Sequence, residues 1–458
     1  MVPIFKSGDK KDMSNYRPVS VLPCLSKVFE RVVYNRLIDF MDKHNILSEC
    51  QFGFRKQHNT QLAVTLFVDK VCKAMDKSNY FVGVFLDLCK AFDTVNHNIL
   101  LSKIEHYGIR GTLFNWIKNY LSNRKQFVEY NGLKSSNENV ICGVPQGSIL
   151  GPLLFLLYIN DLPNVSKLLS SIMFADDTNM FLEHHDIKYL ESVINTEMVK
   201  IVEWLNVNKL SLNVKKTHVM LFTKNRSNCT EPTLNVSIGK TIVQTVTKTT
   251  FLGVVIDHKL IWKEHIQKLC NKMSKGIGLI KKVRYKLQRK TLINLYFTFI
   301  QPYLMYCNVV WGNAAQMHLN QLLVLQKRVL RIIYNTKYME STKLLFKDSR
   351  IMNVHSLYVH STCLFMYKHW RSMLPAYFNN MFMKRSQVHI CNTRCSNFYE
   401  MILCRTETYK KSLAYTGPYI FNLLLKSKLI DVYSVNSISV FKHMLKKYIQ
   451  ELVIMYKR

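Results

Sequence analysis

Between Ser171 and Leu182 two short apolar runs are separated by Ala175-Asp176-Asp177-Thr178. Side chains alternate across a regular strand, so two adjacent acids can serve one site only where the chain turns or kinks. The pattern predicts a hairpin whose carboxylates project from a rigid sheet edge. Burying unpaired carboxylates is costly, and a divalent cation is the natural compensation. Viewed alone, an exposed Asp-Asp turn accounts for the dipeptide equally well. A second apolar run, Tyr80 to Leu88, is rich in Phe and Val and carries Asp87 at its end. Two strands that each deliver an acid to one edge can hold two metals about 3.5 to 4 Å apart, which activates a hydroxyl nucleophile and stabilises a leaving pyrophosphate. Cys89 to Val95 reads as the start of a helix, and Asp93 within it is expected to cap or orient rather than to ligate.

Charge narrows the partners. The 458 residues carry 63 Lys and Arg against 30 Asp and Glu, a formal net charge of +33. Such a surplus seeks a polyanion, either nucleic acid or an anionic membrane surface. A span of the bilayer is not expected, because the longest apolar run, Ile149 to Ile159, contains Gly and Pro and falls short of the about 20 residues required. A hydrophobic content of 48% suffices for a large core or a few packed subdomains. The twelve cysteines lack zinc-type paired spacings, and no secretory leader precedes them, so they are expected to be reduced, intracellular and mostly in the core. His389, Cys391 and Cys395 are the nearest approach to a metal cluster, but a second spaced pair is missing. Met1 is followed at once by what reads as the middle of a folded segment, so an N-terminal truncation is expected.

A helical stretch is predicted over about Leu25 to Met41, and helices over Thr112 to Asn123 and about Asp186 to Leu205 from apolar residues that recur on one face. A strand is predicted over His218 to Thr223, then a hairpin turning at Gly239 that leads into an apolar stretch, Phe251 to Asp257. From Trp262 onward Lys263, Lys268, Lys272, Lys275, Lys281, Lys282 and Arg284 interleave with Ile266, Leu269, Met273, Ile277 and Ile280, a helix with one apolar and one cationic face suited to a phosphate backbone. Gly143-Val144-Pro145-Gln146-Gly147-Ser148 precedes an apolar helix, and its paired glycines would let backbone approach a ligand closely. Beyond about Asn335 the sequence is mixed, basic and aromatic, with no legible chemistry.

Taken in order, these segments resemble the conserved blocks of the reverse transcriptase family. The palm blocks correspond to Phe85 to Asp93, Gly143 to Ser148, Phe174 to Asp177, Leu212-Asn213-Val214-Lys215-Lys216-Thr217 and Phe251-Leu252-Gly253-Val254; the finger blocks to Tyr16 to Ser20 and Gln51-Phe52-Gly53-Phe54-Arg55. Their particular forms are similar to non-LTR retrotransposons of the jockey type, as is the later stretch from Leu295-Tyr296 to Trp311-Gly312.

The resemblance implies an α+β right-hand polymerase: fingers over 1–79, a palm of antiparallel strands and helices over 80–257, a helical thumb over 258–335 and a helical C-terminal extension over 336–458. It implies RNA-directed DNA synthesis with Asp87, Asp176 and Asp177 binding two Mg²⁺ ions, for which Mn²⁺ could substitute. Arg17, with Lys6 or Arg55, would hold the triphosphate; Gln146 and Gly147 would line the nucleotide pocket; and Lys216 would protonate the pyrophosphate. Phe92 would pack under the sugar and exclude a 2′-hydroxyl, and Phe251, Leu252 and Gly253 would position the primer end. The implied partners are an RNA template, a DNA primer or target and deoxynucleoside triphosphates, without a membrane, in a ribonucleoprotein of nucleus and cytoplasm. An endonuclease module upstream and a cysteine-histidine knuckle downstream are not seen. The alternatives are a catalytically inactive, truncated remnant that only binds nucleic acid, and an intron maturase or viral RNA polymerase, which Phe92 disfavours.

Overall fold

A computed structural model of the chain describes residues 1–6, 8–224, 233–239, 241–388 and 396–457. The grouping of His389, Cys391 and Cys395 lies outside them. The sheet at the centre has five strands in the order Gln244–Thr245, His218–Phe222, Tyr80–Leu86, Asp177–His184 and Ser170–Phe174. Its first pair is parallel and the remaining neighbours are antiparallel.

Alternation divides the apolar strand residues between two cores. Phe81, Phe85, Phe181, Met220 and Phe222 face one core, whereas Val82, Val84, Leu86, Met180, Val219 and Leu221 face the other. Because both faces are covered, Tyr80–Leu86 is an unbroken apolar run rather than an alternating one. The second core packs against the helices Cys24–Lys43, His97–His106, Gly111–Leu121, Leu150–Ile159 and Ile187–Val207. Leu150–Ile159 is buried along nearly all its length, so the longest apolar run of the chain is a core helix. Among the described residues no helix is long and apolar enough to cross a membrane.

The first core is larger and continuous. It joins the helix Thr60–Asp76 and one sheet face to Lys263–Val283, Gln316–Tyr334, Val354–Trp370, Leu413–Ser427 and Ile438–Lys457. The expected extension 336–458 is therefore helical but does not have a core of its own. Lys263–Val283 has the predicted two faces: Ile266, Leu269, Met273, Ile277 and Ile280 are buried, and Lys263, Lys272, Lys275, Lys281 and Lys282 are exposed.

Three local expectations change. Cys89 to Val95 is a run of turns, with Lys90 at φ +45°, and the helix begins only at His97, where the Asn96 side chain caps it. Phe251 to Asp257 is two strands, Lys248–Phe251 and Val254–Asp257, folded about Leu252 and Gly253 at φ +45° and +82°. Finally, among the described residues Cys72, Cys270, Cys307 and Cys363 are buried, but Cys50, Cys89 and Cys404 are half-buried and Cys24 and Cys142 exposed, so fewer than half of the described thiols are in the core.

Candidate active site

The acidic dipeptide sits at a hairpin. Phe174 pairs with Asp177, leaving Ala175 and Asp176 as a two-residue loop, and Ala175 takes φ +56°. On the neighbouring strand Leu86 pairs with Thr178, so the next step of that register sets Asp87 opposite Asp177. The main chain of Asp87 leaves the ladder there. Its N–H donates to Thr217 Oγ1 at 3.3 Å and its carbonyl accepts from the N–H of Asn213 at 2.8 Å, so the 213–217 loop fixes the strand end that carries the acid.

The carboxylates of Asp176 and Asp177 both feel the charge of Asp87. Loss of solvent raises the pKa of Asp176 first, and the negative charge of Asp87 raises it further; Arg17 and Lys6 pull the other way. Asp177 is pushed up to about 6, by its low-dielectric surroundings, then by Asp176, then by Asp87. Like charges held this way favour a cation between them, and three aspartates offer the hard oxygens that Mg²⁺ takes. The backbone register brings the three residues to one sheet edge, but among the described residues no group of three or more His, Cys, Asp or Glu is drawn together closely enough to hold a metal ion.

A cavity of about 690 Å³ opens beside the acids. Asp87 and Asp176 line it together with Lys6, Arg17, Phe92, Gln146, Gly147 and Lys216. Lys6 and Arg17 arrive on a hairpin in which Val2–Phe5 pairs with Tyr16–Val19. The Gln146 turn is wedged between that hairpin and Asp93: the Ser20 N–H donates to the Gln146 carbonyl at 2.7 Å, and the Gln146 amide donates to Asp93 Oδ1 at 2.8 Å. A Cβ at Gly147, φ +114°, would stand 2.7 Å from the Ser20 carbonyl oxygen, and one at Gly143, φ +86°, 2.7 Å from that of Asp93. Both glycines are therefore required by close backbone approach. Phe92 stacks on Phe155 with ring centroids 4.4 Å apart while its edge reaches the cavity.

Other sequence candidates lie elsewhere. Arg55 is not at the cavity; its guanidinium donates to the carbonyls of Ser48 at 2.7 Å and Gln51 at 3.4 Å, which holds a loop behind the acidic hairpin. Phe251, Leu252 and Gly253 do not line the cavity either. Phe251 is buried against Phe67 and Phe85, and the Leu252 carbonyl accepts from the Tyr306 hydroxyl at 2.6 Å, tying that turn to the helical region. Sequence reasoning missed Glu30, a buried acid that accepts from the Ile149 N–H at 2.6 Å and the Tyr120 hydroxyl at 3.0 Å, anchoring the start of Leu150–Ile159 just past the glycine turn. It also missed Asn213 and Thr217 as backbone partners of Asp87.

A mixed α+β chain that presents aspartates on an antiparallel sheet edge, over a cavity with cationic walls, is a right-hand polymerase. The reverse transcriptase (RNA-dependent DNA polymerase) family profile matches residues 8–256, and the chain belongs to that family. It is 30% identical over 363 residues to the RNA-directed DNA polymerase from mobile element jockey of Drosophila melanogaster. It is 31% identical over 360 residues to the probable RNA-directed DNA polymerase from transposon X-element of the same organism. Each alignment covers 77% of this chain and 39% of the relative, so the chain spans well under half the length of these proteins. Among solved structures, telomerase from Candida albicans aligns over 72% of this chain and 59% of its own, with 12% identity and a TM-score of 0.41.

Proposed function

We propose that the chain extends a DNA primer on an RNA template, as the polymerase part of a non-LTR retrotransposon protein. The observation that supports this reading best is the meeting of Asp87 with Asp176 and Asp177 at one sheet edge beside a cavity walled by Lys6, Arg17, Gln146 and Phe92.

In this reading Asp87, Asp176 and Asp177 would hold the divalent cations, Mg²⁺ in the first instance. The cations supply activation of the primer hydroxyl and charge neutralisation on the pyrophosphate. Arg17 and Lys6 orient the triphosphate, Arg17 as a bidentate partner and Lys6 as a point charge. Lys216, exposed and lining the same cavity, donates the proton that the leaving pyrophosphate takes up. Gln146 and Gly147 shape the floor under the nucleotide. Phe92, held rigid by Phe155, fills the space that a 2′-hydroxyl would need, which favours deoxynucleotides.

Residues 1–79, 80–257 and 258–335 take the parts of fingers, palm and thumb in this scheme, and the exposed lysines of Lys263–Val283 track the phosphates of the template-primer duplex. The Leu252-Gly253 turn, tied to Tyr306, supports the primer end.

The test is primer extension by the purified chain on an RNA template with deoxynucleotides and Mg²⁺. The expected result is incorporation that Asp176→Asn abolishes. Salt-sensitive RNA binding without incorporation, beside a working control enzyme, would select the inactive remnant instead.

A further inference from the structure

The loop turn that carries Asp176 is held from behind by a buried glutamine far away in sequence. Residues 50–52 add to the edge strand Ser170–Phe174: the Phe52 N–H donates to the Met173 carbonyl at 2.7 Å, and the Met173 N–H to the Cys50 carbonyl at 2.8 Å. From the middle of this segment Gln51, 1% exposed, extends its side chain past the strand end. Its Oε1 accepts from the Ala175 N–H at 2.9 Å and from the Gly53 N–H at 2.8 Å. Gly53 closes the same space. A Cβ there would lie 2.4 Å from the Ala175 nitrogen, so only glycine lets the loop press against the turn. Arg55 braces the loop through the Ser48 and Gln51 carbonyls.

Ala175 is where such a clamp matters. Its φ of +56° is a conformation that an L side chain adopts only when its surroundings impose it, and that two-residue hairpin loops usually give to glycine, asparagine or aspartate. Without an acceptor its buried N–H would be stranded, and the turn could relieve both penalties by rotating to negative φ. That rotation would carry Asp176 and Asp177 away from Asp87.

We propose that Gln51 is a positioning residue for the polymerase site: by accepting from Ala175 it fixes the left-handed turn that aims Asp176 and Asp177 at Asp87, and Arg55 acts through it. This rests on the reading of the three aspartates as metal ligands.

The experiment measures Mn²⁺ binding to the purified chain by electron paramagnetic resonance, with no nucleotide present, alongside hydrogen exchange of the 173–177 backbone and primer extension. Gln51→Leu is expected to weaken Mn²⁺ binding about tenfold or more and to speed exchange at Ala175, while RNA affinity stays within about twofold; misplaced groups of this kind cost up to about 100-fold in rate. Adding Ala175→Gly to Gln51→Leu is expected to restore most of the metal affinity, because glycine adopts positive φ unaided. A merely structural glutamine would not be rescued in this way. If Gln51→Leu does not fold, Gln51→Met, longer and more pliable, carries the same comparison. Mn²⁺ binding and Ala175 exchange equal to wild type in the variant would overturn the inference alone. A wild-type chain that binds no Mn²⁺ would overturn the ligand reading and the inference with it.

Discussion

The side-chain amide of Gln146 donates to Asp93 Oδ1 at 2.8 Å across the mouth of the cavity. Asp93 is thus engaged by the glycine-flanked turn rather than aimed at the other acids. Desolvation raises its pKa, and Gln146, Lys90 and Arg17 oppose that rise. The pair fixes an amide at the cavity that the proposed function assigns to the nucleotide. Asp93→Ala is expected to raise KM for deoxynucleotides about tenfold, roughly 1.4 kcal/mol of binding, with a smaller effect on kcat. Asp93→Asn, which keeps an acceptor, should recover most of it. Steady-state kinetics on a fixed template-primer decide, and a loss confined to kcat would show that Asp93 takes part in the chemistry.

The raised pKa of Asp177 gives a pH dependence with a definite sign. In the metal-free chain the folded pKa of about 6 exceeds the ordinary carboxylate value, so the group adds stability below about pH 4 that is lost as pH rises through 6. A bound cation needs the ionised form and reverses this preference. Metal binding at pH 6 should therefore release protons, and apparent Mg²⁺ affinity should fall as pH drops below 6. Calorimetry in two buffers of different ionisation enthalpy measures the proton count. Zero release at pH 6 would exclude Asp177 from the cation site.

Phe92 faces the cavity and stacks on Phe155, an arrangement that fixes its ring rather than leaving it to swing aside. Replacing it with valine opens space at the cavity wall, where the proposed function seats the sugar, while keeping an apolar side chain beside Phe155. The preference for deoxynucleotides over ribonucleotides, taken as a ratio of kcat/KM, should drop by about 10- to 200-fold, the range accessible to a steric hydrophobic discrimination. Equal ratios in wild type and variant would place the sugar elsewhere.

Much of this site could be read from the sequence because its signals are local. An acid pair between two apolar runs specifies its own hairpin, and the lysine-rich helix Lys263–Val283 announces its two faces through apolar residues three and four apart. Contacts between distant segments leave no such trace. Gln51 meets Ala175 across 124 positions, and nothing in the local pattern around either residue marks the contact. The Leu252-Gly253 turn was hidden inside an apolar stretch whose composition suits a single strand equally well. The resemblance implied a phosphate contact for Arg55, whereas its half-buried guanidinium donates to two backbone carbonyls. In the C-terminal bundle the reason is different: Val354–Trp370 is buried on nearly every side, including Ser356, His360 and Thr362, so no polar face exists to give it a period.

Beyond the apolar core they share, a buried carboxylate ties that bundle to the sheet-covering helix Thr60–Asp76. Asp76 Oδ1 accepts from the Arg405 N–H at 2.9 Å, the Thr406 N–H at 2.7 Å and the Thr406 hydroxyl at 2.8 Å. The Thr406 side chain in turn caps the short helix Glu407–Lys410. A carboxylate at a helix C-terminus is disfavoured by the macrodipole, so these three donors must outweigh that repulsion. Asp76→Ala removes the acceptor of two partly buried backbone N–H groups, and the expected cost is about 2 kcal/mol. Asp76→Asn, which retains one acceptor oxygen without charge, should cost about 1 kcal/mol. Urea denaturation read by tryptophan fluorescence measures the total. Limited proteolysis near residue 405 reports whether the C-terminal helices detach first, as expected if Asp76 is their main tether outside the apolar core. An unchanged urea midpoint in Asp76→Ala would show that the apolar contacts of the first core hold the bundle without it.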